Sequence, residues 1–486
     1  MNAKLILRVF LVIHWFLNPD LLLAETKETC QFHNHWPDQS SSIDTFYVTP
    51  EVLYLRQGPG KGARIKDFLA RNQKITKMAT PLVEAPSGYW MEVIVKSPQG
   101  QQVGWVLSDF LSRDPMASTR LKQQFAKVDF SLQDKVCEFA QNPRRNVKGI
   151  YLTMYSSYGH RFDKYLKLAR DTEINSFVVD VKDERGKILF KSKTVSQRHP
   201  KQAKKNLYET LDKLSAKTKA DNIYLIGKLV VFKDDSYART FPESAIRNDA
   251  GQLFEDRDGL AWVSPHNRQY WNYMVGIAEE MALQGVQEIQ FDYVRFPDTS
   301  KSLHYPDRQS EGRVEAIQGF LSYAYQRLKP YGVYISADVF GLVPNTSGDL
   351  YIGQHWEALS NVVDYISPMM YPSHYARGFR GLKSPDNAPY KTIYYSARDA
   401  VKRNQNIPSP ATIRPWIQGF TATWLSDHLS YGPQELKEQV DALAELGVHE
   451  YLIWNPKNRY DAILNPVQQV AEVEPMAAET PSGSKL

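Results

Sequence analysis

Two aspartates close runs of strict alternation. In Glu288-Ile-Gln-Phe-Asp292, Gln290 and Asp292 share one face while Ile289 and Phe291 share the other. In Tyr334-Ile-Ser-Ala-Asp338, Ser336 and Asp338 stand opposite Ile335, Ala337 and Val339. The apolar faces read as packed against helices, so the polar faces point the other way, into a shared interior. A carboxylate there is costly unless it is paired or put to use. Two of them at the ends of successive strands form a candidate acid/base pair.

The elements that must hold this pair run from residue 146 to about 470. Apolar strand candidates are Gly149–Met154, Ser176–Val181, Ile223–Phe232, Glu288–Phe291, Val333–Phe340, Tyr365–Met370, Ile413–Gln418 and Glu450–Trp454. Amphipathic helical patterns intervene at Phe162–Arg170, Lys205–Lys217, Tyr270–Leu283, Val314–Leu328 and Glu435–Leu446. Eight strands, each followed by a helix or a long connection, predict an α/β chain built on a (β/α)8 TIM barrel. Such barrels carry their chemistry at the C-terminal strand ends. Those ends here are Tyr155, Asp180-Val-Lys182-Asp183, Lys233-Asp234, Asp292-Tyr-Val-Arg295, Asp338, Tyr371-Pro-Ser-His374-Tyr375, Gln418 and Trp454-Asn455. The long connections Glu184–Lys204 and Arg239–Asn267 fall on the same side, and Trp262 marks the second as a lid or an anchored loop.

Ahead of the barrel, Asp44 to Arg113 shows short strands separated by Gly58-Pro-Gly, Pro86-Ser-Gly and Pro98-Gln-Gly, the pattern of a small all-β barrel. The motifs Leu53-Tyr-Leu-Arg-Gln-Gly-Pro-Gly60, Tyr89-Trp-Met-Glu-Val93 and Gly104-Trp-Val106 resemble the bacterial SH3-like (SH3b) domain. That resemblance implies a wall peptide or another envelope ligand, with packing by Trp90 and Trp105 as the plain alternative. Residues 114–145 read as a linker and 471–486 as a disordered tail. Residues 1–24 read as an export signal, with Lys4 and Arg8 before the apolar Val9–Leu17 and a cut after Ala24. The apolar run falls short of the ~20 residues that span a bilayer. The expected location is therefore the periplasm, the cell envelope or the medium, where Cys30 and Cys137 could pair. The terminal Ser484-Lys485-Leu486 matches a peroxisomal address, which conflicts with export and reads as chance.

Composition excludes several classes. Apolar residues are 42% and charged residues 23%, which rules out wholesale disorder and a polytopic membrane protein. A net charge of +5 with scattered Lys and Arg argues against a nucleic-acid partner. There is no His-Glu-x-x-His, no Gly-x-Ser-x-Gly and no dinucleotide fingerprint, so no cofactor or metal is expected. Asp234-Asp235 and Asp256-Arg-Asp258 lack the EF-hand register and read as solvated loop acids.

Seven segments resemble the family DUF4015, a glycosidase-like TIM-barrel domain. They are Val147–Thr153, Val179-Asp-Val-Lys-Asp183, Val230-Val-Phe-Lys-Asp234, Glu288–Pro297, Ser336–Gly341, Ile366–Tyr375 and Ile413–Gln418. Lys228 departs from it, since arginine is expected in that strand. The resemblance implies glycoside hydrolysis, which needs one ionised and one protonated carboxyl group across the scissile bond. Asp292 suits the nucleophile or base, held ionised if Arg295 meets it, and Asp338 suits the general acid in a drier setting. Asp180 and Asp183 compete with Asp338 for the donor role. Tyr371, Trp416 and Trp454 suit sugar stacking, or else barrel filling. Asp180, Asp183, His374, Gln418, Lys182 and Arg295 are candidate substrate contacts. The expected substrate is an envelope or extracellular polysaccharide. A non-catalytic carbohydrate-binding protein anchored by its SH3-like domain, and a scaffold with a structural barrel, are the alternatives.

Overall fold

The computed structural model describes residues 45–464 apart from 51, 72, 98–99, 114–124, 126, 205–210 and 406. The signal read over residues 1–24, the tail over 471–486 and Cys30 lie outside the described residues. Cys137 is disulfide-bonded, and Cys30 is the other cysteine of the sequence. No described helix is long and apolar enough to cross a membrane.

The barrel is present. Its parallel strands are β1 (Lys148–Leu152), β2 (Ser176–Lys182), β3 (Tyr224–Val230), β4 (Glu288–Asp292), β5 (Tyr334–Phe340), β6 (Tyr365–Met370), β7 and β8 (Tyr451–Trp454). Strand β7 comes in two pieces, Thr412–Ile413 and Trp416–Gln418, because Pro415 between them has no N–H to donate. Neighbours follow chain order, and the pairing of β8 with β1 closes the ring. The outer helices are α1 (Gly159–Asp171), α2 (Leu211–Ala220), α3 (Arg268–Leu283), α4 (Arg313–Leu328), α5 (Trp356–Ser360), α6 (Pro389–Asn404) and α7 (Pro433–Ala444). Their starts are locally encoded. The Asn267 side chain accepts the N–H of Tyr270, Glu435 accepts that of Gly432 at 2.8 Å, and α6 and α7 open on proline.

Strand alternation sorts side chains into two cores. Ile150, Phe177, Val179, Leu225, Ile289, Phe291, Ile335, Ile366 and Ile453 pack outward on the helices. Tyr151, Val178, Tyr224, Ile226, Tyr334, Tyr365, Trp416 and Leu452 fill the interior. At the floor, Arg414 is fully buried; its guanidinium contacts Glu288 at 2.8 Å and Glu450 at 2.8 Å and lies 3.6 Å over the Tyr365 ring.

Much of the stretch read as a linker belongs to this floor. Val136 and Phe139 pack into the interior cluster, and Phe139 lies 5.0 Å from the Tyr334 ring. The Lys135 ammonium donates to the carbonyls of Ser360, Val363 and Ser409. Val136 and Phe139 stand three residues apart among polar neighbours with no sustained periodicity, so only the tertiary fit reveals the role.

Residues 45–112 form an antiparallel sheet, ordered Ile65–Ala70, Val52–Arg56, Gly100–Leu107, Gly88–Ser97, Lys74–Lys77, Thr45–Val48 and Leu111–Ser112, around Val48, Leu55, Val93 and Val106. It meets the barrel at α6. Arg398 reaches Asp67 at 2.8 Å, Lys402 donates to the Phe68 carbonyl at 2.8 Å, and Phe68 abuts Tyr395 edge-on at 6.0 Å.

Candidate active site

The site begins with register. Phe291 on β4 pairs with Ala337 on β5, so Asp292 and Asp338 follow side by side at the mouth, on strands spaced about 4.8 Å apart. On the other flank, Asp180 of β2 is in register with Lys228 of β3, and Lys228 with Gln290 of β4. Five inward positions on four successive strands thus meet.

Their contacts divide the carboxyls by environment. The Lys228 ammonium lies 2.9 Å from Asp180 and 2.9 Å from Asp292, bridging both. Its charge is held on strongly: burial opposes it, but Asp180 and Asp292 together raise its pKa well above the usual range. Asp180 also accepts the Tyr151 hydroxyl. Burial raises the Asp180 pKa against the pull of Lys228 and Tyr151. Asp292 Oδ1 accepts the Tyr293 N–H at 2.7 Å, and Tyr293 itself has φ +49°, a strained conformation for an aromatic residue.

Asp338 is different. It is 3% exposed and has no ion-pair partner among the described residues. Burial, and next the charge of Asp292, push its pKa well above the ordinary 3.8, more than Lys228 and the Trp416 hydrogen bond draw it back. Gln290 Nε2 and Trp416 Nε1 both donate to Oδ1, at 2.8 and 2.7 Å. A neutral carboxyl in this setting uses Oδ1 as its carbonyl oxygen, which leaves the proton on Oδ2.

The other expected residues divide. Tyr371 is buried in the interior cluster with Trp416, its pKa raised by burial and then by the charges of Asp338 and Asp292. Trp454 is half-buried and stacks on Tyr151 at 4.0 Å. Trp416 is 1% exposed, so it orients Asp338 instead of offering a face to sugar. Gln418 is also sealed in. Its carbonyl accepts the Ser373 N–H and hydroxyl, and its amide donates to Asp386 and the Phe420 carbonyl, so its polar groups buckle the β6 loop and do not face a substrate. Lys182 follows an irregularity in β2 and turns outward, where it is fully buried, 2.9 Å from Asp234 and donating to Val230. It is a structural ion pair and not a substrate contact.

Arg295 does not pair with Asp292, whose cation is Lys228. Its guanidinium sits 5.0 Å over Trp262, 5.0 Å over Tyr293 and 4.6 Å over Phe340, beside a cavity of about 530 Å³ lined also by Lys233, Asp256 and Asp298. Asp256 and Asp258 are tied to Lys233 at 2.9 and 2.6 Å. Asp183 caps its own turn by accepting the N–H groups of Arg185 and Lys187, and burial lifts its pKa to about 6. His374 lies at the exposed rim, hydrogen-bonded to the Ser373 hydroxyl at 3.0 Å.

Lys228 and Gln290 are the residues that sequence reasoning undervalued. The signal was present, since Tyr224, Ile226 and Lys228 alternate on the inward face of β3 just as Gln290 precedes Asp292. Sequence proximity favoured Arg295, whereas strand register decides the partner.

Residues 149–460 match a family model, DUF4015, described as a putative glycosyl hydrolase domain. Among solved structures, a hypothetical protein from Ruminiclostridium thermocellum is 36% identical over 39% of this chain and 97% of its own, with a TM-score of 0.35. The PgaB (BpsB) glycoside hydrolase domain from Bordetella bronchiseptica is 12% identical over 64% of this chain and 94% of its own, with a TM-score of 0.47. The spore cortex-lytic enzyme SleL from Bacillus cereus is 12% identical over 64% and 70%, with a TM-score of 0.37. No curated protein matches the chain.

Proposed function

The chain belongs to the DUF4015 family of putative glycosyl hydrolase domains, and from that membership and the paired carboxyls we propose that it hydrolyses glycosidic bonds. Asp338 is the general acid and protonates the departing glycosidic oxygen from Oδ2. Asp292, beside the Lys228 ammonium, is the nucleophile or the base that activates water. The observation that carries this reading is the asymmetry of the pair. One aspartate has a cation at 2.9 Å, while its neighbour is buried without one and takes two hydrogen bonds on a single oxygen. A buried carboxyl that resists ionisation beside a second carboxyl that faces a cation is the arrangement acid-assisted glycoside cleavage requires.

The substrate in this proposal is an envelope or extracellular polysaccharide, met after export by the segment 1–24. Residues 44–113 are the SH3-like module, which holds the chain near the wall by binding a peptide or another envelope ligand. Tyr371, Trp454 and His374 line the sugar site, with Arg295 at its edge. A glycan hydrolysis screen of the full chain, with Asp292→Asn in parallel, tests the proposal. Cleavage of one glycan, reduced at least about a thousandfold in the variant, is expected. Cleavage that survives in Asp292→Asn removes Asp292 from its role. Glycan binding without cleavage favours the non-catalytic carbohydrate-binding alternative.

A further inference from the structure

The loop between β7 and α7 presents an aromatic face that the carboxyl chemistry leaves unused. Trp424 is 62% exposed, an unusual cost for an indole unless something covers it. It is not a loose side chain. One side is stacked on Phe420, with ring centres 5.9 Å apart and planes at 28°, and the His374 ring meets it edge-on at 6.1 Å. Phe420 and His374 in turn contact Tyr371, at 6.1 and 5.3 Å. Tyr371 shares the interior cluster with Trp416, whose indole N–H donates to Asp338 at 2.7 Å. A continuous row of rings therefore runs from the carboxyl pair to solvent.

The loop is held in place from below. Asp386 accepts the N–H of Leu429 at 2.9 Å and the Gln418 amide at 3.1 Å, and its carbonyl accepts the Tyr431 hydroxyl. The Tyr431 N–H is bonded to Thr421, and Ala422 is fully buried. A rigid indole with an open face matches the C–H face of a pyranose and loses little entropy on binding.

We propose that Trp424 is a pyranose-binding platform for a sugar unit remote from the bond that is cleaved. Two ring-to-ring steps separate it from Tyr371, so a single sugar at the carboxyl pair does not reach it, and an oligosaccharide does. The substrate class is thus a polymer that crosses the mouth toward the β7 loop. This inference rests on the reading of the mouth as a glycan site.

Isothermal titration calorimetry of the full chain with chitohexaose, chitobiose, cellohexaose and cellobiose, with products followed by chromatography, tests it. At least one hexasaccharide should bind. Trp424→Ala should weaken that binding about tenfold and leave the disaccharide unchanged, and Trp424→Phe should restore most of it. Equal hexasaccharide affinity in Trp424→Ala, an equal loss for the disaccharide, or no hexasaccharide binding at all would overturn the platform. Hexasaccharide binding that depends on Trp424 without cleavage supports the platform and removes the hydrolase reading. Cleavage with unchanged binding in Trp424→Ala does the reverse.

Discussion

Lys228 bridges two carboxyls at 2.9 Å, while Asp338, one strand further on, is left to Gln290 and Trp416. Asp338 therefore resists ionisation, and that resistance has a thermodynamic signature. Its folded pKa lies above the unfolded value near 3.8, so the folded state binds more protons than the unfolded state above that pH. Stability from this site is fully present below about pH 4 and is lost as pH rises toward the folded pKa. Asparagine is neutral at every pH and keeps an oxygen for both N–H donors. Asp338→Asn should therefore match the wild type in thermal midpoint near pH 4 and exceed it progressively at higher pH. Parallel midpoints across the range would mean that Asp338 ionises normally. Under the proposed function this variant gains stability and loses activity.

At the scale of elements, the strands were legible because alternation and β-branched runs mark them, and the parity of Asp292 and Asp338 correctly turned both inward. Two kinds of feature were not. The strand Ile65–Ala70 reads Ile-Lys-Asp-Phe-Leu-Ala, with no clean alternation, because its Asp67 and Phe68 face the barrel instead of solvent or core. The floor of the barrel escaped for a related reason. Val136 and Phe139 look isolated among polar neighbours, yet both enter the interior cluster beneath Tyr224, Tyr334 and Tyr365. Phe139 is 1% exposed, and its N–H also donates to the Tyr334 hydroxyl at 3.2 Å. Phe139→Ala should cost roughly 3–5 kcal/mol in chemical denaturation of the barrel. A cost below about 1 kcal/mol would return residues 127–145 to the status of a passive connection.

Over the whole molecule, the N-terminal sheet is docked on the barrel through charge and aromatic contacts. Arg398 joins Asp67 while also lying 5.3 Å over Phe68, and Arg380, from the β6 loop at the mouth, lies 5.8 Å over the same ring. The ion pair is largely buried, so its members should be coupled. A double-mutant cycle of Asp67→Ala and Arg398→Ala should give an interaction of about 1 kcal/mol or more in unfolding free energy. Strict additivity would mean that the two parts do not hold each other. This docking joins the sheet to the loop that follows β6 at the mouth of the barrel.

In the proposed mechanism, hydrolysis needs Asp338 protonated. The measurement that bears on it most directly is the pH dependence of glycan cleavage by the full chain, wild type against Asp338→Asn. Wild-type activity should fall as pH rises through the raised Asp338 pKa. The variant should be slower by about 10²–10⁴ and should lack that alkaline fall. Undiminished cleavage by Asp338→Asn, with the alkaline limb intact, would contradict the assignment of the acid and with it the paired-carboxyl mechanism.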